Sequence, residues 1–353
     1  MKYLLLFSFL CLSFIIAAQQ TVGFRVMWYN VENLFDTQDN PKTNDDEFLP
    51  GGNRRWTPKR YNHKLQQLAK VITAAGEWDT PALVGLCEVE NDSVILDLLN
   101  RTPLKKQQYR YCMTTGSDTR GIQVALLYQR DKFALLGNSS IPVLSSGKHH
   151  KPTRDILHVW GKVASQDTLD LFLCHFPSRS GGEKETEANR MDAAAILRSL
   201  CDSIANIRET PFILLMGDFN DEPSNKSIKD ILCAYPLSSI VSDLDDPRKG
   251  DLKLYNLFSD PKRQSFPGSY KYQGGWTQLD QIIVSETLIQ QNNTIHIWPE
   301  SARLFSPSFI LTKDKTWQGV RPKRTYYGYK YEGGFSDHFP LLLDLVVDVK
   351  FPE

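Results

Sequence analysis

Zinc-ligand spacing is missing from this sequence: its cysteines, Cys11, Cys87, Cys112, Cys174, Cys201 and Cys233, are scattered with no close pair. That excludes a small metal-stapled module, and a chain of 353 residues is long enough not to need a disulfide framework. Buried thiols are the default reading, with one disulfide left open in an oxidising compartment. An excess of one charge is missing too, because 41 basic residues face 41 acidic ones. Any polyanion must then be held by local basic patches and not by the field of the whole surface. Beyond the first residues no apolar run approaches the roughly 20 residues of a membrane-spanning helix. Repeats, Pro-rich linkers and low-complexity blocks are also absent.

What is present begins with Met1-Lys2, an apolar run from Tyr3 to Ile16, and Ala17-Ala18-Gln19-Gln20, the order of a signal peptide. We expect residues 1–18 to be a leader and residues 19–353 to be a single domain, exported to the periplasm or secreted. Cys11 lacks the small residues that precede a lipidated cysteine, so neither a lipid anchor nor stable membrane insertion is expected. Hydrophobic residues at 41% and charged residues at 23% describe an ordinary globular protein.

Strand-length apolar runs recur at Phe24 to Tyr29, Ala82 to Cys87, Ile122 to Tyr128, Ile156 to Val163, Leu169 to Cys174, Phe212 to Met216, Leu279 to Val284 and Leu341 to Val349. Helical spacing appears after Thr57-Pro58, with Leu65, Leu68, Ala69 and Ile72 on one face, again from about Glu187 to Ile204, and over Asn225 to Leu232. Strands mixed with helices predict a layered α/β (α+β) architecture.

A polar side chain able to bind a cation or a phosphate follows four of these eight runs: Asn30, Glu88, His175 and Asp218. Strand exits are rigid, and in α/β sheets ligands bind in the crevice beyond them. Ser336-Asp337-His338 precedes its strand, so if that strand runs antiparallel to the others the same edge receives Asp337 and His338. Carboxylates (Glu88, Asp218, Asp337, Glu32), amides (Asn30, Asn220) and imidazoles (His175, His338) together suit a hard cation and a phosphate. Singly, each reads as a turn or a solvated strand end; their recurrence carries the argument.

Trp28-Tyr29-Asn30-Val31-Glu32-Asn33-Leu34-Phe35-Asp36, Leu86-Cys87-Glu88, Gly217-Asp218-Phe219-Asn220, Leu279-Asp280-Gln281-Ile282 and Ser336-Asp337-His338 resemble, in order and spacing, the endonuclease/exonuclease/phosphatase (DNase I-like) superfamily. The resemblance implies a four-layer sandwich of two packed mixed β-sheets flanked by helices. It implies Glu88 as main metal ligand, helped by Asn30 and Asp337, with Glu32 near the metal. Asp218 would orient or deprotonate the attacking water, Asn220 and His175 would hold the phosphate, and His338, fixed by Asp280, would stabilise charge on phosphorus. Whether Asp218 or His338 is the base stays open. The expected cofactor is Mg2+, with Mn2+ or Ca2+ as alternatives. Histidine at 175, where the DNA-repair branch carries tyrosine, argues against abasic-site repair.

For substrate, Arg54 to Tyr61 and Lys313 to Tyr331 mix cations with aromatics, the second leading through Arg324 toward Asp337. Arg179, in the glycine-bearing loop after His175, and Arg190 at the next helix start are further candidate phosphate clamps. Arg190 equally suits a helix-surface pair with Glu187 or Glu183. The first and last motifs look most like bacterial extracellular nucleases, so the expected substrate is DNA or RNA, with no protein partner indicated. The alternatives are a phosphomonoesterase or phospholipase C-like enzyme on inositol phosphates or phospholipid headgroups, and a non-catalytic binding module of the same fold.

Overall fold

Strands as densely apolar as Leu83-Val84-Gly85-Leu86-Cys87 need cover on both faces, and the computed structural model, which describes residues 20–144, 153–240 and 251–350, supplies it with two seven-stranded mixed sheets. The first holds β1 (Thr21–Leu34), β2 (Leu83–Val89), β3 (Arg110–Met113) and β4 (Gln123–Tyr128), with Leu341–Asp348 antiparallel to β1. The second holds β5 (Ala134–Ile141), β6 (Ile156–Lys162), β7 (Thr168–His175) and β8 (Phe212–Asp218), continued by Asp280–Ser285, Leu254–Asn256 and Ala234–Pro236. Parallel pairing joins β1 to β2 and β7 to β8, so four strand exits share an edge with the start of Leu341–Asp348.

Alternation along the strands builds the layers. In β8, Phe212, Leu214 and Met216 enter the core between the sheets, while Ile213 and Leu215 join Ala193, Ala194, Leu197 and Cys201 of α3 (Glu187–Ile207) outside it. On the other side, α1 (Pro58–Gly76) and α2 (Asp92–Asn100) bury Leu65, Leu68, Ile72, Val94, Ile95 and Leu98 against the first sheet. The result is the four-layer sandwich. Gly85 marks a close approach of the two sheets: a Cβ there would stand 2.8 Å from Trp28 and 3.0 Å from both Leu173 and Met216.

All eight expected strands form, within a few residues of their expected bounds, and Thr57 caps α1 by accepting from the Arg60 N–H at 3.4 Å. The helix α2 was not anticipated; it is short, and only four of its residues are buried. Asn225 to Leu232 forms a single π-helical turn, Ser227–Ile231. Cys87, Cys112, Cys174 and Cys201 are buried free thiols and Cys233 is partly buried and free. The expected leader, residues 1–18, lies outside the described residues. No helix among the described residues is long and apolar enough to cross a membrane.

Candidate active site

Strand register assembles the centre of the site. Asp218, the last residue of β8, pairs with His175 at the end of β7 on one side and with Asp280 on the other. Residues 43 and 62 positions from Asp218 thus become its lateral neighbours by backbone hydrogen bonding alone. The opposing sheet contributes Asn30, whose Nδ2 donates to Asp218 Oδ2 at 3.0 Å across the sandwich. The backbone N–H of Asn220 donates to the other Asp218 oxygen at 2.9 Å. Burial, helped by the nearby Asp280 charge, pushes the Asp218 carboxyl up to about 6.

Glu88 reaches the cleft because β2 breaks register between Cys87 and Val89, a bulge that re-aims the intervening side chain. Its φ is +62°, and Glu32, Asn33 and Asn220 nearby also have positive φ. Non-glycine residues held there store strain of about 1 kcal/mol or more each, which the surrounding sandwich must sustain. Glu88 Oε2 accepts the Asn33 N–H at 2.9 Å, and Oε1 lies 3.9 Å from His175 Nε2.

The two histidines are held in opposite states. His338 Nδ1 faces Asp280 Oδ2 at 2.6 Å; burial opposes its charge, but Asp280, then Asp337 and Asp218, outweigh that and raise the ring to about 10. Asp280 is itself fixed by the Trp28 indole N–H at 2.9 Å and the Ser269 hydroxyl at 2.5 Å. His175 is pushed well below its ordinary pKa by burial and by the positive charges of Arg154, Arg120 and His338. A neutral imidazole and an imidazolium therefore flank Asp218, at 3.8 and 4.0 Å.

For a divalent cation, the donor chemistry fits at Glu88 and Asp337. Both line the cleft, and although His338 Nε2 stands 4.0 Å from Asp337 and the charges of Arg324 and Lys64 also act on it, the two carboxylates present hard oxygen donors to the cleft. Asp218, Asp280 and His338 also place donor atoms within 4.8 Å of one another. That trio is a proton-holding array, because the Asp280 oxygens are already taken by Trp28, Ser269 and His338 Nδ1. Asn30 is buried and its Oδ1 accepts the Glu32 N–H at 3.0 Å, so its clearest role here is to hold Asp218.

Three expected site residues are placed elsewhere. Glu32 turns away from the cleft and accepts the Thr325 and Tyr326 N–H groups at 2.6 and 3.2 Å, with Lys64 Nζ at 4.0 Å. Its positive φ redirects the side chain. Arg190 is fully buried: Nε contacts Asp221 Oδ1 at 2.7 Å off the N–H direction, and its terminal nitrogens donate to Thr186 Oγ1 and Glu183 O. It ties α3 to the loop after β8. Arg324 is a charge neighbour of Asp337, with its ring-like fork 5.6 Å over Tyr327, and does not line the cleft. Arg179 does line it, but Nε donates to Asn220 O at 2.7 Å and Nη2 contacts Asp221 at 3.2 Å and Asn225 at 3.0 Å, so it braces the Asn220 turn.

The cleft, about 330 Å³, has residues that sequence did not single out. Tyr270 lays its ring against His338, centroids 4.7 Å apart, and Tyr272 stacks parallel to it at 6.4 Å. Arg120 lines the cleft as well. Arg154 lies buried beneath, donating to the Phe176 carbonyl that also accepts Asn220 Nδ2. Tyr270 sat in a Gly/Tyr-rich stretch preceding the Leu279-Asp280 run, its only sequence signal.

With this geometry in place, comparison with known proteins gives a consistent result. The profile described as Endonuclease/Exonuclease/phosphatase family matches residues 25–346. No curated protein matches the chain in sequence. Similar solved structures include an endonuclease/exonuclease/phosphatase family protein from Bacteroides thetaiotaomicron (15% identity, 94% of this chain and 100% of that one, TM-score 0.54). A mannosyl-6-phosphatase from the same organism aligns at 16% identity over 91% of this chain and 99% of that one, TM-score 0.54. The human Nocturnin catalytic domain with bound sulfate aligns at 16% identity over 93% and 96%, TM-score 0.52. At these identities the likeness establishes a common fold.

Proposed function

The chain belongs to the endonuclease/exonuclease/phosphatase family, and from that premise we propose that it is an exported, divalent-cation-assisted hydrolase of phosphate esters that works by water attack at phosphorus. The observation carrying this reading is the placement of Asp218 between a neutral His175 and a charged His338 on a rigid strand end. A carboxylate pushed up to about 6 binds a proton well near neutrality, so Asp218 takes the proton of the attacking water. His338, its Nδ1 fixed on Asp280, presents Nε2–H to a phosphoryl oxygen, where its charge counters the charge developing in the transition state. His175 supplies a neutral donor to the same phosphoryl group. Glu88 and Asp337 would hold Mg2+, Mn2+ or Ca2+, which would neutralise phosphoryl oxygens during the displacement.

The nucleic-acid reading draws support from the tyrosine ladder: Tyr272 is 59% exposed and parallel to Tyr270, a platform on which a base can stack. Against it, Arg321 is held by both Glu332 oxygens at 2.9 and 2.7 Å, Lys271 pairs with Asp314 at 2.9 Å, and Arg54 pairs with Glu47 at 3.2 Å. Cations consumed in this way grip a polyanion weakly. The geometry therefore favours a compact phosphoester over a long polymer. The test is phenol release from phenyl phosphate and from bis(phenyl) phosphate, beside strand cleavage of plasmid, single-stranded DNA and RNA, with each cation and with chelator. Chelation and Asp218→Asn should each abolish turnover; an active Asp218→Asn protein would overturn the mechanism.

A further inference from the structure

Next to the cleft lies a second recess of about 550 Å³ that the chemistry above does not use. The two share Asn33 and Arg120, so a molecule seated at the phosphoryl site can continue into it. Its floor is the parallel pair Phe35 and Phe48, ring centroids 4.4 Å apart, and that floor is rigid because the Trp56 indole N–H donates to the Phe35 carbonyl at 2.9 Å. Asn44, Asp46 and Asn53 rise around it, and their side chains make no hydrogen bond among the described residues.

The polar inventory decides what fits. Phosphate oxygens only accept hydrogen bonds, and of the charged groups lining the recess Arg54 is held by Glu47 at 3.2 Å and Arg120 stands at the junction, 3.7 Å from Asp118, so a second phosphate would meet the Asp46 carboxylate beside cations already engaged. Hydroxyl groups donate and accept, and so match carboxylates and amides alike. An apolar floor with a few convergent polar groups is the usual construction of a small-molecule site. We propose that this recess binds the polyhydroxylated, uncharged part of the substrate, a sugar whose phosphate ester sits in the adjoining cleft. The inference rests on the phosphoesterase reading and narrows it to sugar phosphates. Arg120, exposed at the junction and 3.7 Å from Asp118, spans the phosphate and the first sugar ring.

The test compares kcat/KM for glucose, galactose and mannose 6-phosphates with kcat/KM for phenyl phosphate, in the native chain and in the Asp46→Ala/Asn53→Ala protein. Both positions are exposed and lack side-chain bonds, so the variant should fold. At least one hexose phosphate should be favoured over phenyl phosphate, and the double substitution should lower that ratio about tenfold, the equivalent of one or two hydrogen bonds. No hexose preference, an unchanged ratio, or a dinucleotide preference that depends on the same two residues would overturn the proposal. If phenyl phosphate itself is not cleaved, the parent reading fails separately. The recess is then judged by side-chain amide shifts of Asn44 and Asn53 in Asp218→Asn protein titrated with methyl glucoside, where silent amides overturn the subsite.

Discussion

Replacing Asp280 by asparagine changes one buried charge and almost no volume, and the expected consequence is a displaced alkaline limit of activity. In the native chain the His338 ring rises from 6.5 to about 10 although burial works against it, because Asp280 touches Nδ1 at 2.6 Å. At about 1.4 kcal/mol per pH unit, that corresponds to roughly 5 kcal/mol favouring the charged ring. Asp280→Asn leaves only Asp337 and Asp218 to oppose burial, so the ring should titrate near or below 6.5. At pH 8 a ring of that pKa is charged about 3% of the time, so turnover of phenyl phosphate should fall by about 30-fold while remaining within a few-fold of native at pH 6. The sign for stability is the same: with the folded value raised, the contribution is full below 6.5 and disappears as pH rises through about 10, and the variant lacks it at every pH. The assay is a pH–rate profile beside an NMR titration of the histidine rings. An alkaline limb within one pH unit of native, or a native His338 that titrates near 6.5, would refute the argument.

Arg190→Ala should lower stability by about 1–3 kcal/mol, because the buried Asp221 carboxylate keeps only Arg179 and the Ser227 hydroxyl as partners; an unchanged melting temperature with a raised KM would restore Arg190 as a substrate clamp. Lys64 Nζ donates to Thr325 Oγ1 at 2.5 Å and Phe335 O at 2.6 Å beside Glu32, so Lys64→Met should be similarly destabilising, with faster amide exchange over residues 325–335 and partial recovery in Lys64→Met/Glu32→Gln. Exchange rates in that segment equal to native would disprove it. Gly85→Ala forces a methyl against Trp28, Leu173 and Met216, so thermal denaturation should show a loss of about 1–3 kcal/mol with turnover retained at low temperature.

The sheets were legible in sequence because their strands are buried on both faces, and continuous apolar runs such as Ile213-Leu214-Leu215-Met216 have no other use. The edge strand β5, half-exposed along its length, left no such run and was not foreseen. Most polar residues at strand exits were legible for the same reason: a run that stops at Glu88, His175 or Asp218 announces where backbone rigidity ends and chemistry begins. Arginines were not. Arg190 and Arg179 have the same composition signal as phosphate clamps, but whether a guanidinium meets solvent or an Asp221 carboxylate depends on what α3 and the β8 loop bring beside it.

By itself, then, the sequence determined the layered α/β class, the strand and helix periods, and the list of groups able to bind a cation and a phosphate. These follow from local patterns of hydrophobicity and from side-chain chemistry. The tertiary structure alone decided the aims and charge states of those groups. The bulge at Glu88 turned one carboxylate into the cleft while the positive φ of Glu32 turned another out of it. The Asp280 carboxylate made one histidine a cation against the effect of burial, and burial together with the charges of Arg154 and Arg120 kept the other neutral. Direction and protonation are set by neighbours distant in the chain, and no local pattern records them.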